Sequence, residues 1–276
     1  ELKPDMIVVH GDRSEALAGA IVGAFNNILV AHIEGGEVSG TVDEVVRHTI
    51  SKIAHLHFVA NDEAKRRIIQ MGEKEEAVFV IGSPELDLMT SDKLPSFAES
   101  KKIFDIPFEE YGIFIIHPVT TEIHELSKST ETVIDALVES KFNYVTVYPN
   151  NDPGTDIIMN VFQNRLFNNK QFVTHPSIRF EHFLSLLKNA HFIVGNSSVG
   201  VREAPYYGVP AINIGNRQNN RVRNGNIESI FNCGYDKNNI LELINRFKQE
   251  RTRFESKSYF GKGDSGRNFL NIIKQE

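Results

Sequence analysis

The stretches MIVVHGDR (residues 6–13) and ILVAHIEGGE (residues 28–37) give the strongest indication of the fold. Each begins with apolar, largely β-branched residues, which is the composition of a buried strand, and each ends in charged side chains. A helical stretch separates the two, and the strand–helix–strand order predicts neighbouring parallel strands. Both charged segments then lie at the carboxyl edge of one sheet, where ligands bind in open α/β sheets.

The charged side chains at these two strand ends are candidates for catalysis or ligand binding. Burying an unpaired charge costs free energy, and folds tolerate that cost mainly at functional sites. The candidates at this edge are His10, Asp12, Arg13, His32, Glu34 and Glu37. Their convergence predicts the floor of an active site.

Apolar runs alternate with helical stretches along the whole chain, which is typical of α/β proteins. The pattern predicts two Rossmann-like, doubly wound domains that face a cleft. It loosens between residues 82 and 110, so we place the first domain at 1–92 and the second at 93–262. Residues 263–276 predict a terminal helix that packs back across the domains. Because the chain opens almost directly in a strand with site residues, we expect the first domain to be incomplete at its start.

Composition excludes several classes of protein. The chain has 276 residues, 41% of them hydrophobic, which is enough for two cores. A formal net charge of −6 argues against a nucleic-acid partner, and no apolar run approaches the roughly 20 residues that span a membrane. The single cysteine, Cys233, has no disulfide partner and no ligand cluster beside it. We expect a cytoplasmic protein without nucleic-acid or membrane partners.

The second half carries the segment GNSSVGVRE (residues 195–203), which follows an apolar strand and opens a helix predicted over 199–207. Ser197 or Ser198 would cap this helix, whose free N–H groups and dipole favour an anion. An ordinary capped helix is the alternative interpretation. Glu203 favours a nucleotide, because acidic residues bind ribose hydroxyls in dinucleotide sites. Arg202 is a further candidate.

Two more strand ends of the second half carry candidates. Arg217 follows the strand over 211–214, and its planar guanidinium suits a phosphate, although a lone arginine is often only a solvated surface charge. His117 ends the strand over 113–116. A histidine there can serve as an acid or a phosphate partner, or as a structural hydrogen-bonding group.

A helix predicted over 43–54 adds Asp43 and His48. Asp43 and Arg47 have the i, i+4 spacing of an ion pair, which as a surface contact would contribute less than about 1 kcal/mol. Alternatively, Asp43 reaches the same cavity as Asp12 and Glu34. Three carboxylates together would supply both a base and an acid.

These residues resemble the hydrolysing UDP-N-acetylglucosamine 2-epimerases, a family of bacterial sialic acid synthesis that includes the epimerase half of the bifunctional animal enzyme. The resemblance covers essentially the whole chain in order. It includes the segments quoted above, His32 to Thr41, Asp43, Arg47-His48, His117-Pro118 and Gly215-x-Arg217. The Glu34-Gly35-Gly36-Glu37 string favours the hydrolysing branch over the non-hydrolysing one.

The resemblance implies a glycosyltransferase-B-like fold, a UDP-sugar substrate, no cofactor, no metal ion and a homo-oligomer, either a dimer or a tetramer. It assigns acid and base roles to Asp12, Glu34 and Asp43 and places His117 near the diphosphate or C2. The UDP contacts that it implies are Arg13, Ser197, Ser198, Glu203 and Arg217. The remaining candidates for the cleft are His10, His32, Glu37, His48 and Arg202.

The implied reaction converts UDP-N-acetylglucosamine to N-acetylmannosamine and UDP. UDP leaves by elimination to a 2-acetamidoglucal, with a protonated His117 stabilising the diphosphate, and water then adds. Three alternatives remain open. They are a UDP-2,4-diacetamido-trideoxy sugar of the legionaminic acid route as substrate, a UDP-sugar glycosyltransferase of the same fold, and a non-catalytic UDP-binding module.

Overall fold

The structure, a computed structural model, describes residues 3–39, 42–221 and 227–274. Gly40, Thr41 and part of the polar loop predicted at 219–226 lie outside the described residues. The strands are β1 (Met6–His10), β2 (Leu29–Ile33), β3 (Leu56–Val59), β4 (Val78–Val80), β5 (Gly112–Ile115), β6 (Tyr144–Val147), β7 (Phe172–His175), β8 (Ile193–Gly195), β9 (Ala211–Ile214) and β10 (Ile230–Cys233). The α-helices are α1 (Ser14–Phe25), α2 (Val42–Ile53), α3 (Asp62–Gln70), α4 (Pro84–Met89), α5 (Phe97–Ile103), α6 (Leu126–Glu139), α7 (Thr155–Arg165), α8 (Phe180–Asn189), α9 (Glu203–Tyr206), α10 (Lys237–Lys248) and α11 (Ser265–Ile273).

The chain divides into two compact units. The first comprises Glu1–Asp92 and Ser258–Glu276, and the second comprises Lys93–Lys257. Residues 258–262, which the sequence pattern places in the second domain, therefore belong to the first unit. Hydrogen bonds hold them there, because the Ser83 N–H donates to the buried Phe260 carbonyl at 2.7 Å and the Tyr259 hydroxyl donates to Glu63 at 2.5 Å.

The sheet of the first unit has four parallel strands in the order β1-β2-β3-β4. β1 and β2 are neighbours with His10 opposite Ile33, and the Gly11 N–H donates to the Ile33 carbonyl at 3.0 Å. The predicted parallel pairing is thus confirmed, and the two charged segments leave the sheet side by side.

Apolar side chains cover both faces of this sheet. Val9, Val30 and Ile50 are buried in the cluster formed with α1 and α2. Across the sheet, Phe58 packs in a cluster with residues of α11, and its ring lies 4.7 Å from that of Phe269. The terminal helix therefore completes the first unit.

The second unit contains a six-stranded parallel sheet in the order β10-β9-β8-β5-β6-β7. The winding direction reverses between β5 and β8, which is the kind of position where open α/β sheets bind ligands. Buried aromatic rings fill the core, among them Phe114, Tyr144, Phe162 and Phe192. The switch point lies where His117 and the Gly195–Ser198 segment leave the sheet.

Two local predictions differ from the structure. The continuous helix predicted over 199–207 is instead a 3-10 turn at Ser198–Gly200 followed by the single turn of α9. Pro205 has no N–H to donate back to residue 201, so a longer helix loses support there. Strand β10, which extends the sheet beyond β9, is not predicted by the sequence pattern.

Candidate active site

His10 and Glu34 meet at the carboxyl edge of the first sheet. The His10 Nε2 lies 3.0 Å from Glu34 Oε2, and Glu34 is 6% exposed. Glu34 has a φ of +62°, in the left-handed region that costs a non-glycine residue on the order of 1–2 kcal/mol. Such strain is concentrated at functional sites, which agrees with the prediction that Glu34 is a site residue.

Arg47 positions Asp12. The Arg47 side chain is buried at 1% exposure, and its Nη2 donates to Asp12 Oδ2 while its Nη1 donates to the Glu37 carbonyl at 2.9 Å. A buried guanidinium needs such partners, because an unpaired charge is costly in the interior. Arg47 is thus no surface charge, in contrast to the simplest interpretation of its spacing from Asp43. Asp43 lies one turn earlier on the same face of α2.

His32 is fully buried, so it supports the site from within rather than lining a cleft. Its Nε2 lies 2.8 Å from the Gly11 carbonyl and its Nδ1 lies 3.1 Å from Ser51 Oγ. The carbonyl can only accept, so Nε2 carries the proton. Burial lowers the pKa of His32 to about 4, which keeps the ring neutral. The histidine ties the Asp12 loop to α2.

The other candidates of the first unit occupy its surface or the edges of this network. Arg13 is exposed at the start of α1, whereas Glu37 is 5% exposed. Burial lowers the pKa of His48, whose Nε2 lies 3.9 Å from Glu44. Arg13 is therefore accessible from solvent.

One group of residues in the described chain has the donor chemistry of a metal site. The ligand atoms of His10, Glu34 and Glu85 all lie within 4.8 Å of one another. Two of the three groups, His10 and Glu34, also contact each other directly. The absence of a metal ion stays a prediction. The sequence pattern did not single out Glu85, which lies in the first turn of α4.

His117 occupies the switch point of the second sheet. The Asn150 N–H donates to its Nδ1 at 3.1 Å, so in the neutral ring the proton lies on Nε2. Burial, together with the nearby Arg217 charge, lowers the pKa of His117 to about 3. Both observations favour a neutral ring that offers an Nε2–H donor. This state differs from the protonated imidazole that is expected from the sequence beside a diphosphate.

The candidate UDP contacts follow the adjacent strands β8 and β9. Ser197 Oγ accepts from the Val199 N–H at 3.4 Å and caps the 3-10 turn, and Arg217 Nη1 donates to the Asn196 carbonyl at 3.4 Å. Glu203 is 6% exposed and Arg202 is 8% exposed. Because α9 has only one turn, its dipole is weak, and the guanidinium groups of Arg202 and Arg217 carry the permanent positive charge among these residues.

Two residues with direct contacts to His117 had no predicted role. Asn150 follows β6 as His117 follows β5, so its position at the end of a neighbouring strand was a usable signal. Asn196 lies within the quoted GNSS segment, but its contact with His117 depends on the tertiary fold. A cavity of about 910 Å³ in the second unit is lined by residues that include Asn216, Asn232 and Tyr235 but no predicted site residue.

In the described part of the chain, no helix combines the length and apolar character required to cross a membrane.

Comparison with known proteins places this geometry in a family. A family model described as UDP-N-acetylglucosamine 2-epimerase matches residues 1–274. A relative from Neisseria meningitidis, named UDP-N-acetylglucosamine 2-epimerase, is 49% identical over 96% of this chain and 69% of its own length. A relative from Legionella pneumophila, named UDP-N,N'-diacetylbacillosamine 2-epimerase (hydrolyzing), is 38% identical over 81% of this chain and 59% of its own length.

A solved structure of a UDP-GlcNAc 2-epimerase has a fold similar to that of this chain. The crystal structure of a Methanocaldococcus jannaschii UDP-GlcNAc 2-epimerase, in complex with UDP-GlcNAc and UDP, matches 99% of this chain and 76% of that chain, with a TM-score of 0.80 and 22% identity. This likeness shows a glycosyltransferase-B-like α/β fold with parallel sheets, as the sequence predicts. The match of the family model along the chain and the 49% identity to the Neisseria protein together show that the protein belongs to the UDP-N-acetylglucosamine 2-epimerase family.

Proposed function

We propose that the protein converts UDP-N-acetylglucosamine to N-acetylmannosamine and UDP by the hydrolysing route. The sugar nucleotide is the one in the name of the Neisseria relative, and the name of the Legionella relative supports the hydrolysing step. The chain spans 69% and 59% of the lengths of these relatives. The observation that carries the proposal is Asp12, a carboxylate held by the buried Arg47 beside the end of β2.

The first half-reaction removes UDP. A carboxylate takes the proton from C2, the electron pair of that C–H bond forms the C1–C2 double bond, and the C1–O bond breaks with its electrons going to UDP. The product is a 2-acetamidoglucal. Asp12, Glu34 and Asp43 are the candidates for the base, and their spacing does not assign the step to one of them.

The leaving diphosphate gains negative charge, and preorganised donors stabilise such charge best in a site that excludes water. Arg217 supplies a permanent positive charge, and the neutral His117 supplies its Nε2–H. Ser197, Ser198, Glu203 and Arg13 are the proposed remaining contacts to UDP. A neutral donor loses no proton to the product, so UDP departs without a proton transfer from His117.

The second half-reaction hydrates the glucal. Water adds its oxygen to C1 while an acid delivers a proton to C2 from the face opposite to the one that lost it. This step inverts C2 and yields N-acetylmannosamine. Overall, one water is consumed and one UDP is released for each sugar.

The Legionella relative favours a second candidate substrate, a UDP-2,4-diacetamido-trideoxy sugar. The test incubates the protein separately with UDP-N-acetylglucosamine and UDP-N,N'-diacetylbacillosamine and separates the nucleotides by chromatography. We expect free UDP and N-acetylmannosamine from the first substrate at a higher kcat/KM than any turnover of the second. Accumulation of UDP-N-acetylmannosamine without free UDP would contradict the hydrolysing route, and transfer of the sugar to an acceptor would support a glycosyltransferase.

A further inference from the structure

Asn196 makes an unusual set of contacts for a residue in a loop. It is fully buried, its Oδ1 accepts from the His117 N–H at 2.7 Å, and its Nδ2 donates to the His117 carbonyl at 2.8 Å. One carboxamide thus satisfies both backbone polar groups of His117. These two contacts also fix which end of the amide is oxygen, because the N–H needs an acceptor and the carbonyl needs a donor.

We infer that Asn196 is a positioning residue, which clamps the His117 backbone so that the ring presents its Nε2–H to the leaving group. The part of this inference that concerns the leaving group rests on the proposed function. The clamp itself rests on geometry alone.

The path of the chain brings Asn196 to this place. Gly195, the last residue of β8, has a φ of +132°, and a Cβ there would lie 1.8 Å from the Ile115 carbonyl oxygen. The close approach of β8 to β5 continues in a hydrogen bond from the Asn196 N–H to the Ile115 carbonyl at 3.1 Å. The side chain of Asn196 then extends the ladder of hydrogen bonds by one residue beyond the paired strands.

Other contacts restrain the same group. Pro118 follows His117, and a proline disfavours the helical conformation for the residue before it. The Asn150 N–H restrains the ring through Nδ1, whereas Asn196 restrains the backbone. Burial raises the pKa of Tyr235 to about 12, and a hydrogen bond joins this tyrosine to the Asn196 side chain.

Asn196 also connects His117 to the proposed phosphate contacts. Its carbonyl accepts from Gln218 Nε2 at 3.0 Å and from Arg217 Nη1 at 3.4 Å. Asn196 therefore contacts both His117, which carries the imidazole, and the guanidinium of Arg217. The two side-chain contacts with the His117 backbone, by contrast, require an amide. A carboxylate has no N–H for the His117 carbonyl, and its charge would favour a protonated ring.

The test compares Asn196→Ala and Asn196→Asp with the unchanged protein. Long-range ¹H–¹⁵N NMR spectra of histidine-labelled protein report the tautomer and charge of each ring, and His117→Gln assigns the His117 signals. We expect the unchanged protein to show a neutral Nε2–H ring at pH 7 and pH 5. Asn196→Ala should mix the tautomers, and Asn196→Asp should make His117 titrate at a higher pH.

Kinetics supply the second readout. Asn196→Ala should lower kcat by roughly 10- to 100-fold, the scale of a misplaced reacting group, with UDP affinity changed less than about threefold. The control is Asn213→Ala, which removes a buried amide of the adjacent β9 that bonds Asn232 at 2.7 Å and should leave the His117 signals unchanged.

The inference is overturned if both Asn196 variants keep the His117 spectrum and pH response of the unchanged protein. If Asn196→Ala does not fold, the nearly isosteric Asn196→Asp variant decides by the same spectra. Absence of turnover in the unchanged protein would refute the proposed function instead, because the spectra test the clamp without any substrate.

Discussion

At the scale of single residues, the site depends on charges and protons that the fold holds in defined states. Arg47 pairs with Asp12, and His32 ties the same loop to α2 through the Gly11 carbonyl and Ser51. In the second unit, the Asn150 N–H fixes the tautomer of His117. Substitution of each of these groups should therefore change a different measurable property of the protein.

Asp12→Asn should lower the rate of UDP release at least about 100-fold, because an amide can serve neither as the base nor as the acid that Asp12 is proposed to supply. UDP affinity should stay within a few fold, since most of the proposed UDP contacts lie in the second unit. A coupled assay for UDP and calorimetric titration with UDP measure the two quantities. The matched control, Asp135→Asn, breaks an Asp–Arg pair with Arg165 elsewhere and should leave the rate unchanged. Near-normal turnover in Asp12→Asn would remove this residue from the mechanism.

Buried histidines should make the fold sensitive to acid. Burial lowers the pKa of His32 from 6.5 to about 4, so between these values the unfolded chain binds a proton that the folded chain does not. The free energy of unfolding therefore decreases as the pH falls from about 6.5 to 4, by up to roughly 1.4 kcal/mol per pH unit for this group.

His32→Gln should flatten the dependence of this free energy on pH, whatever it does to stability at pH 7. Urea unfolding at pH 7, 6 and 5 measures the slope. The exposed His124, replaced by glutamine, is the control and should retain the slope of the unchanged protein. An equal slope in all three proteins would show that His32 does not account for the acid sensitivity.

At the scale of elements, the close approach of β8 to β5 sets the backbone geometry at the switch point of the second sheet. Gly195→Ala should lower the free energy of unfolding by at least about 2 kcal/mol, because the new Cβ would collide with the Ile115 carbonyl in a backbone conformation that favours glycine. At Gly234 a Cβ meets no atom within 4 Å, and Gly234→Ala should change stability by less than about 1 kcal/mol. Chemical denaturation measures the free energy of unfolding of both variants. Similar values would show that the backbone at residue 195 does not require glycine.

The sequence predicts the strand ends well and the contacts between them poorly. His10, Glu34 and His117 each follow an apolar run, and such local patterns locate the end of a strand. The Arg47–Asp12 pair joins residues 35 positions apart and depends on how α2 is rotated against β1. The state of His117 likewise depends on Asn150, 33 residues away, and on burial that no local pattern reports.

At the scale of the whole molecule, the two units differ in how the chain builds them. The second is continuous, with its own six-stranded sheet and core, whereas the first needs residues from both ends of the chain. We expect residues 93–257 produced alone to unfold cooperatively and to bind UDP, since His117, Ser197, Glu203 and Arg217 all belong to them. Thermal unfolding with and without UDP tests this, and a non-cooperative or UDP-insensitive transition would contradict it.

Elimination across C1 and C2 makes the C2 proton exchange with solvent, and ¹H NMR of the reaction with UDP-N-acetylglucosamine in D₂O measures this exchange. Removal of the C2 proton and return of a solvent deuteron must leave deuterium at C2 of the free N-acetylmannosamine, formed in equal amount to UDP. Free sugar that retains its original proton at C2, or retains the N-acetylglucosamine configuration, would contradict the account.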